Sequence, residues 1–188
     1  ESYRLFDTHF QTHLQGYPAG ANPDLFFGMD PQWKMCGCIT GLYPPFPELL
    51  LQDRGETEVV QQFDGVIVER GKFLGSIPRH VRHTLVDRDS WEAYYKPRLR
   101  ADDPLRLAAG PAWEMQLAEW LRPDRDYPLF IEGGSLYGVA RNWFGLEGIS
   151  QIMYDDRSLF EEIVETLADV VVAVLEHTLS AGVRPEAA

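Results

Sequence analysis

Little cysteine, few cations and no long apolar run set the first limits. The 188 residues contain two cysteines, Cys36 and Cys38, in one "CGC". Two thiols this close build no disulfide framework, and a zinc site needs further ligands at a standard spacing, which the sequence does not offer. They are read as structural or incidental thiols, with the cytoplasm as the compartment. Lys and Arg number 17 against 29 Asp and Glu, a formal net charge of -12. No Lys/Arg run is long enough to make a basic groove, so nucleic acid and anionic membrane surfaces are excluded as partners. No apolar stretch approaches the roughly 20 residues needed to span a bilayer. Internal repeats and low-complexity segments are absent too, and no signal peptide is expected from the opening residues. The first residue is Glu1 rather than Met, and the chain is expected to be a trimmed piece of a longer one.

What is present describes an ordinary globular chain of one domain, 45% hydrophobic and 24% charged. Leu5, Phe6, His9, Phe10, His13 and Leu14 share one helical stripe that stops at Gly16. His9 and His13 are i, i+4, but no Glu stands between them in an HExxH arrangement, so they are read as edge residues. Residues 17–55 are rich in Pro, Gly and aromatics, and Pro44, Pro45 and Pro47 forbid a regular helix. Tyr43 and Phe46 are expected either to cover a site as a lid or to wrap the body statically. Asp30, in "FFGMD", is expected to cap a turn.

Over 58–86, short β-rich runs split by Asp64-Gly65, Gly71 and Gly75 predict two to four antiparallel strands. His80 and His83 in "PRHVRH" are expected on opposite faces of a strand, hence unable to share a metal. Asp87 or Asp89 is expected to cap a short helix with Trp91, Tyr94 and Tyr95, and Pro111 to open another. "YPLFIE" reads as a strand buried on both faces, as in a parallel sheet. "LEGISQIMYD" reads as a short helix, and Ser158 with Glu161 as the capping box of a long one. That long helix carries Leu159, Ile163, Leu167, Val170, Val171, Val174, Leu175, Thr178 and Leu179 at the 3.6 period up to Gly182. Such a β/α unit wants a parallel strand next, and the sequence offers no second apolar run of the same kind. The remainder is therefore expected in a part of the protein beginning near Val183.

The order of these segments resembles the uroporphyrinogen decarboxylase-like superfamily, which includes uroporphyrinogen decarboxylase and corrinoid-dependent methyltransferases. The resemblance covers most of the chain. It is carried by "FFGMD" at 26–30, by "FDGVIVERGKFLGSIPRHVRHTLVDRDSWEAYYKPRL" at 63–99, and by 127–182 with its "DDRSLFEE" helix start. It implies an α/β fold: the N-terminal portion of a (β/α)8 TIM barrel, with an N-terminal α+β subdomain at 1–126 and the first β/α unit at 127–188. It implies an enzyme, a carboxy-lyase or a methyltransferase, acting on a tetrapyrrole or a corrinoid-linked methyl substrate, with the isolated chain inactive. A methyltransferase of this kind uses zinc and cobalamin in the full-length protein, with none held by this chain, and a corrinoid protein as partner. A homodimer is the expected assembly. The decarboxylase's arginine-rich opening has no match here, and its tyrosine position falls on Arg141 or Asn142. Since the C-terminal ends of barrel strands face the substrate, the expected contacts are Glu132, Gly133, Gly134, Ser135, Tyr137, Arg141 and Asn142, on the glycine-bearing loop after the strand and the start of the helix that follows the glycine pair. Glu132 and Arg141 would either bind a polar or anionic ligand or pair with each other. A non-catalytic docking or assembly module is the alternative, motivated by the aromatic, proline-rich 17–50 segment.

Overall fold

The computed structural model describes residues 27–29, 33–37, 39–73, 77–107 and 111–187. The helical stripe with His9 and His13, and likewise Asp30, Cys38 and Gly75, lie outside them.

Two sheets organise the chain. Four strands, β2 (Leu49–Asp53), β3 (Thr57–Gln61), β4 (Ile67–Gly71) and β5 (Arg79–Arg82), form an antiparallel sheet in sequential order. The antiparallel reading of 58–86 holds, and β2 extends it into the proline-rich segment. Asp64 and Gly65 make the β3–β4 turn: the Val66 amide donates to Asp64 Oδ1 at 3.0 Å, the Asx geometry that favours Asp there. Val60, Val66 and Val68 pack as a small core. β2 is an edge strand exposed along its whole length, including Leu49, Leu50 and Leu51.

The second sheet is parallel. Leu129–Ile131, strand β6, pairs in register with β1 (Lys34–Cys36). On its other side Ala187 forms a parallel bridge to Phe130, with Glu186 N to Leu129 O at 2.9 Å and Ile131 N to Ala187 O at 3.0 Å. β6 is thus central, as its unbroken apolar run demands. The expectation that no parallel partner exists in this chain is corrected. β1 escapes a hydrophobicity reading because only Cys36 of its three residues is buried. The 186–187 pairing rests on main-chain bonds rather than on apolar side chains.

Helices cover these sheets. Helical run α1 spans 88–98, α-helical at first, then π-helical over Trp91–Tyr95 and 3₁₀ over Lys96–Arg98. Asp87 caps it, accepting the Ser90 amide at 2.8 Å while Ser90 Oγ accepts the Asp87 amide. α2 is Pro111–Trp120, opening on its proline as expected. α3 runs Leu136–Asp155 with a break at Gly145 (φ 76, ψ 165), and the part after the break is the short "LEGISQIMYD" helix. α4 is Arg157–Ser180, and its buried stripe is Leu159, Ile163, Leu167, Val170, Val174 and Thr178. Each large apolar member stabilises the fold by about 1.5–3 kcal/mol.

The cap of α4 is Asp156, accepting from the Leu159 amide at 3.0 Å, and not the predicted Ser158–Glu161 box. The helix starts at Arg157, so Ser158 lies inside it and donates to Asp156 Oδ1 at 2.8 Å, while Glu161 pairs with Arg157. A carboxylate faced by Arg88 is the stronger acceptor for the orphan amides.

The main core joins α1, α3 and α4 with Leu42, Phe46 and Leu85. Glu162 ties α1 to α4, receiving Arg88 Nη1 at 2.8 Å, Lys96 Nζ at 2.8 Å and Trp91 Nε1 at 3.2 Å. Lys96 first, then Arg88, hold its carboxyl down at about 2. Among the described residues the architecture is mixed α/β without a closed barrel, and no helix is long and apolar enough to cross a membrane.

Candidate functional site

The loops that leave the two parallel strands at their carboxyl ends meet at one cavity of ≈ 450 Å³. Thr40, Gly41 and Leu42, beyond β1, form one wall, and Glu132, Gly134 and Ser135, beyond β6, form the next. Phe63 and Asp64 reach in from the β3–β4 turn. The floor is helical: Leu136, Val139, Asn142 and Trp143 from α3, Leu167 and Val171 from α4.

Local rules explain the α3 side. Gly134 (φ 66) turns the chain in the left-handed region, which spares a side chain the strain. Ser135 is extended and caps α3, its Oγ accepting the Gly138 amide at 3.1 Å. Positions 136, 139, 142 and 143 then fall on one helical face. Tyr137 and Arg141, one turn apart, fall on another. They are exposed and do not line the cavity, and Arg141 donates to Asn142 Oδ1 at 3.1 Å. The structure therefore brings Glu132, Gly134, Ser135 and Asn142 together and leaves out Gly133, Tyr137 and Arg141. The helix expected after the glycine pair starts at Leu136, capped by Ser135, so Tyr137, Arg141 and Asn142 stand on α3 rather than on the strand-end loop. Glu132 and Arg141 do not pair; among the described residues Glu132 has neither a hydrogen bond nor an ion pair.

Two further residues set the opposite wall, Asp64, expected only as part of a turn, and Arg106. Asp64 is held by its turn and by the Tyr95 hydroxyl, which donates to the Asp64 carbonyl at 3.0 Å. Burial pushes the Tyr95 phenol well above its usual range, so it stays a donor. Arg106 is 1% exposed and has no carboxylate partner among the described residues. Its guanidinium donates instead to the carbonyls of Ile39 and Gly41 (2.6 Å each), Arg98 (2.5 Å) and Arg100 (3.0 Å). Burial lowers its pKa from the free value. The residue bolts 39–41 against 98–100 and so shapes the Thr40–Leu42 wall. The one trace of this in the sequence is an arginine set between Leu105 and Leu107.

Phe46 is buried, 5.2 Å from the Tyr95 ring, with its amide on Phe63 O; Tyr43 N bonds Arg98 O at 2.8 Å. This part of the proline-rich segment is a static wrap rather than a lid. Against expectation, His80 and His83 stand on the same side, ring centroids 5.1 Å apart. β5 ends at Arg82 and its register shifts against Ile67 and Val68, so strict alternation does not reach His83. His83 Nδ1 donates to Trp143 O at 2.9 Å, and burial first of all lowers its pKa. Cys36 is buried in the core, its thiol pushed up by burial. Among the described residues no three His, Cys, Asp or Glu are grouped to hold a metal ion, so they offer no zinc site.

Set against protein-family models, curated proteins and solved structures, the chain matches none.

Proposed function

We propose that this chain is the N-terminal part of a uroporphyrinogen decarboxylase-like enzyme, and that the cavity is one part of its substrate site. One observation carries the reading: the loops after both parallel strands converge on the cavity at the carboxyl end of the sheet, where open α/β sheets and barrels place ligands. The β6–α3–α4 unit followed by the parallel 186–187 segment supports a barrel-type β/α repeat. Of the two reactions, methyl transfer is favoured over decarboxylation. A carboxylate-rich macrocycle calls for cations, and the described lining residues include two carboxylates, Asp64 and Glu132, and no Lys, Arg or His. Asn142 and the Ser135–Leu136 turn would orient a substrate's polar end, while Leu136, Val139, Trp143 and Val171 exclude water from its apolar body. Zinc and cobalamin, if the parent enzyme uses them, would be held outside the residues described.

The test is made on the full-length protein: absorbance titrations with coproporphyrin and with methylcobalamin, and a methyl-transfer assay, beside a Val139→Trp variant that fills the cavity. Methyl transfer that is lost in the filled variant while methylcobalamin still binds is expected. Tight porphyrin binding would restore decarboxylation, and binding of neither would overturn the assignment.

The docking alternative is favoured by one feature, the exposed leucines of β2, an edge strand among the described residues, a position that suits pairing with a second copy. Sedimentation at rising concentration tests it: dimerisation abolished by Leu50→Lys supports it, and a monomer throughout removes it.

A further inference from the structure

The charge and shape of the cavity wall constrain its occupant. Asp64 spends Oδ1 on the Val66 amide and its carbonyl on Tyr95, which leaves Oδ2 without a hydrogen bond among the described residues. Glu132, exposed at the rim, has no hydrogen bond or ion pair among the described residues. Arg141, next to Asn142 in the chain, lies on another face of α3 and engages Asn142 from outside the cavity. Trp143 is 4% exposed, its ring held at 5.0 Å from Tyr95, and Phe63 stands on the wall beside Asp64. The described wall thus carries two carboxylates beside aromatic and aliphatic side chains and no cation, a negative lining that favours a cationic occupant. An aliphatic ammonium answers both sets of groups at once. Its charge meets the carboxylates, and its alkyl groups meet aromatic faces and the aliphatic floor, the pairing by which quaternary ammonium ions are recognised. A volume near 450 Å³ suits a ligand of small-metabolite size and leaves no need for the protein to open.

We infer that the cavity binds a small alkylated ammonium compound, held between Asp64 and Glu132 and against Trp143 and Phe63. The inference rests on the cavity being a substrate site; it names the class of the methyl-bearing substrate.

The experiment is a ¹H–¹⁵N titration of the full chain with choline, with its neutral carbon isostere 3,3-dimethylbutanol, and with citrate as a tricarboxylate. Choline is expected to shift the Gly134 and Asn142 amides and the Trp143 indole, and to bind at least about tenfold more tightly than the isostere, the scale of a partly desolvated cation on rings and carboxylates. Glu132→Gln, at the exposed rim, and Asp64→Asn should each weaken choline by about fivefold to tenfold and leave the isostere unchanged. Because Asp64→Asn can disturb its turn, the Glu132→Gln result and the isostere comparison stand without it. Equal binding of choline and isostere, or citrate shifting the same resonances, overturns the ammonium inference and leaves the substrate site intact. No shift at these residues with any of the three overturns both.

Discussion

Glu162 offers a measurable consequence of how α1 is held to α4. Its carboxyl lies at about 2 against 4.5 for a free glutamate, the work of Lys96, Arg88 and the Trp91 indole. At about 1.36 kcal/mol per pH unit this drop corresponds to roughly 3 kcal/mol, an upper bound. The side chain is 29% exposed, and solvent screening reduces the value to about 1–2 kcal/mol. Because the folded pKa is depressed, this contribution is complete above the unfolded value near 4.5 and is lost as pH falls from there toward 2. Glu162→Gln removes the charge, keeps the shape, and leaves Arg88 and Lys96 facing each other without a counter-charge. Urea unfolding followed by tryptophan fluorescence should show the variant less stable by about 1–2 kcal/mol at pH 7. The gap between the two proteins should close steadily between pH 4.5 and 2.5. A gap below about 0.3 kcal/mol at pH 7, smaller than an ordinary exposed ion pair gives, would refute the reasoning, as would a gap that does not change with pH.

Other positions yield sharp expectations. Arg106→Leu strands the carbonyls of Ile39, Gly41, Arg98 and Arg100, and should destabilise by about 3–5 kcal/mol in thermal unfolding while weakening ligand binding at the Thr40–Leu42 wall. Arg106→Lys, with one donor head in place of a planar fork, should recover only part of the loss. Gly145→Ala forces a side chain into a left-handed residue and puts its Cβ 2.6 Å from His83 Nε2, for a loss of about 1–3 kcal/mol. The same substitution beside His83→Ala should be milder by calorimetry, because the clash is gone and only the backbone strain remains. His83 itself has its pKa held below the usual histidine range, chiefly by burial. Stability should therefore be complete above about pH 6.5 and decline as pH falls below it, and His83→Gln should flatten that slope in melting temperatures taken from pH 7.5 to 5.5.

The legible parts of the fold are those where one short-range rule acts alone. Asp64-Gly65 announced its turn, Pro111 its helix start, and the Leu159-to-Thr178 stripe its helix, because each depends on neighbours within a few residues. β1 was illegible for the opposite reason. It is a strand because β6 needs a partner, and Lys34 and Met35 are exposed on it. The cap was misplaced by two residues, at Ser158 instead of Asp156, because Arg88, which faces the Asp156 carboxylate, stands 68 residues away in the chain. Arg106 is the extreme case, since its four carbonyl partners come from two segments that no local pattern joins.

The same division explains the site. Glu132, Gly134 and Ser135 follow a buried strand, so the strand-end rule finds them. Beyond Ser135 the outcome turns on whether the chain continues as loop or helix. Read as loop, 133–142 projects Arg141 at the ligand and implies an anion. Read as a helix capped by Ser135, the period of 3.6 sends Tyr137 and Arg141 to a different face from Leu136, Val139, Asn142 and Trp143. With Arg141 removed and Asp64 delivered from a distant hairpin, the wall goes from a balanced Glu132–Arg141 pair to two carboxylates. One hydroxyl cap thus shifts the ligand class the stretch implies, and Ser135→Ala should show it. Loss of the cap costs about 1 kcal/mol of helix stability. Fraying of the first turn should then reduce choline affinity more than that of the neutral isostere, since Glu132, just before the cap, loses its place at the cavity rim. Equal loss for both ligands would mean that the cap supports only the apolar floor.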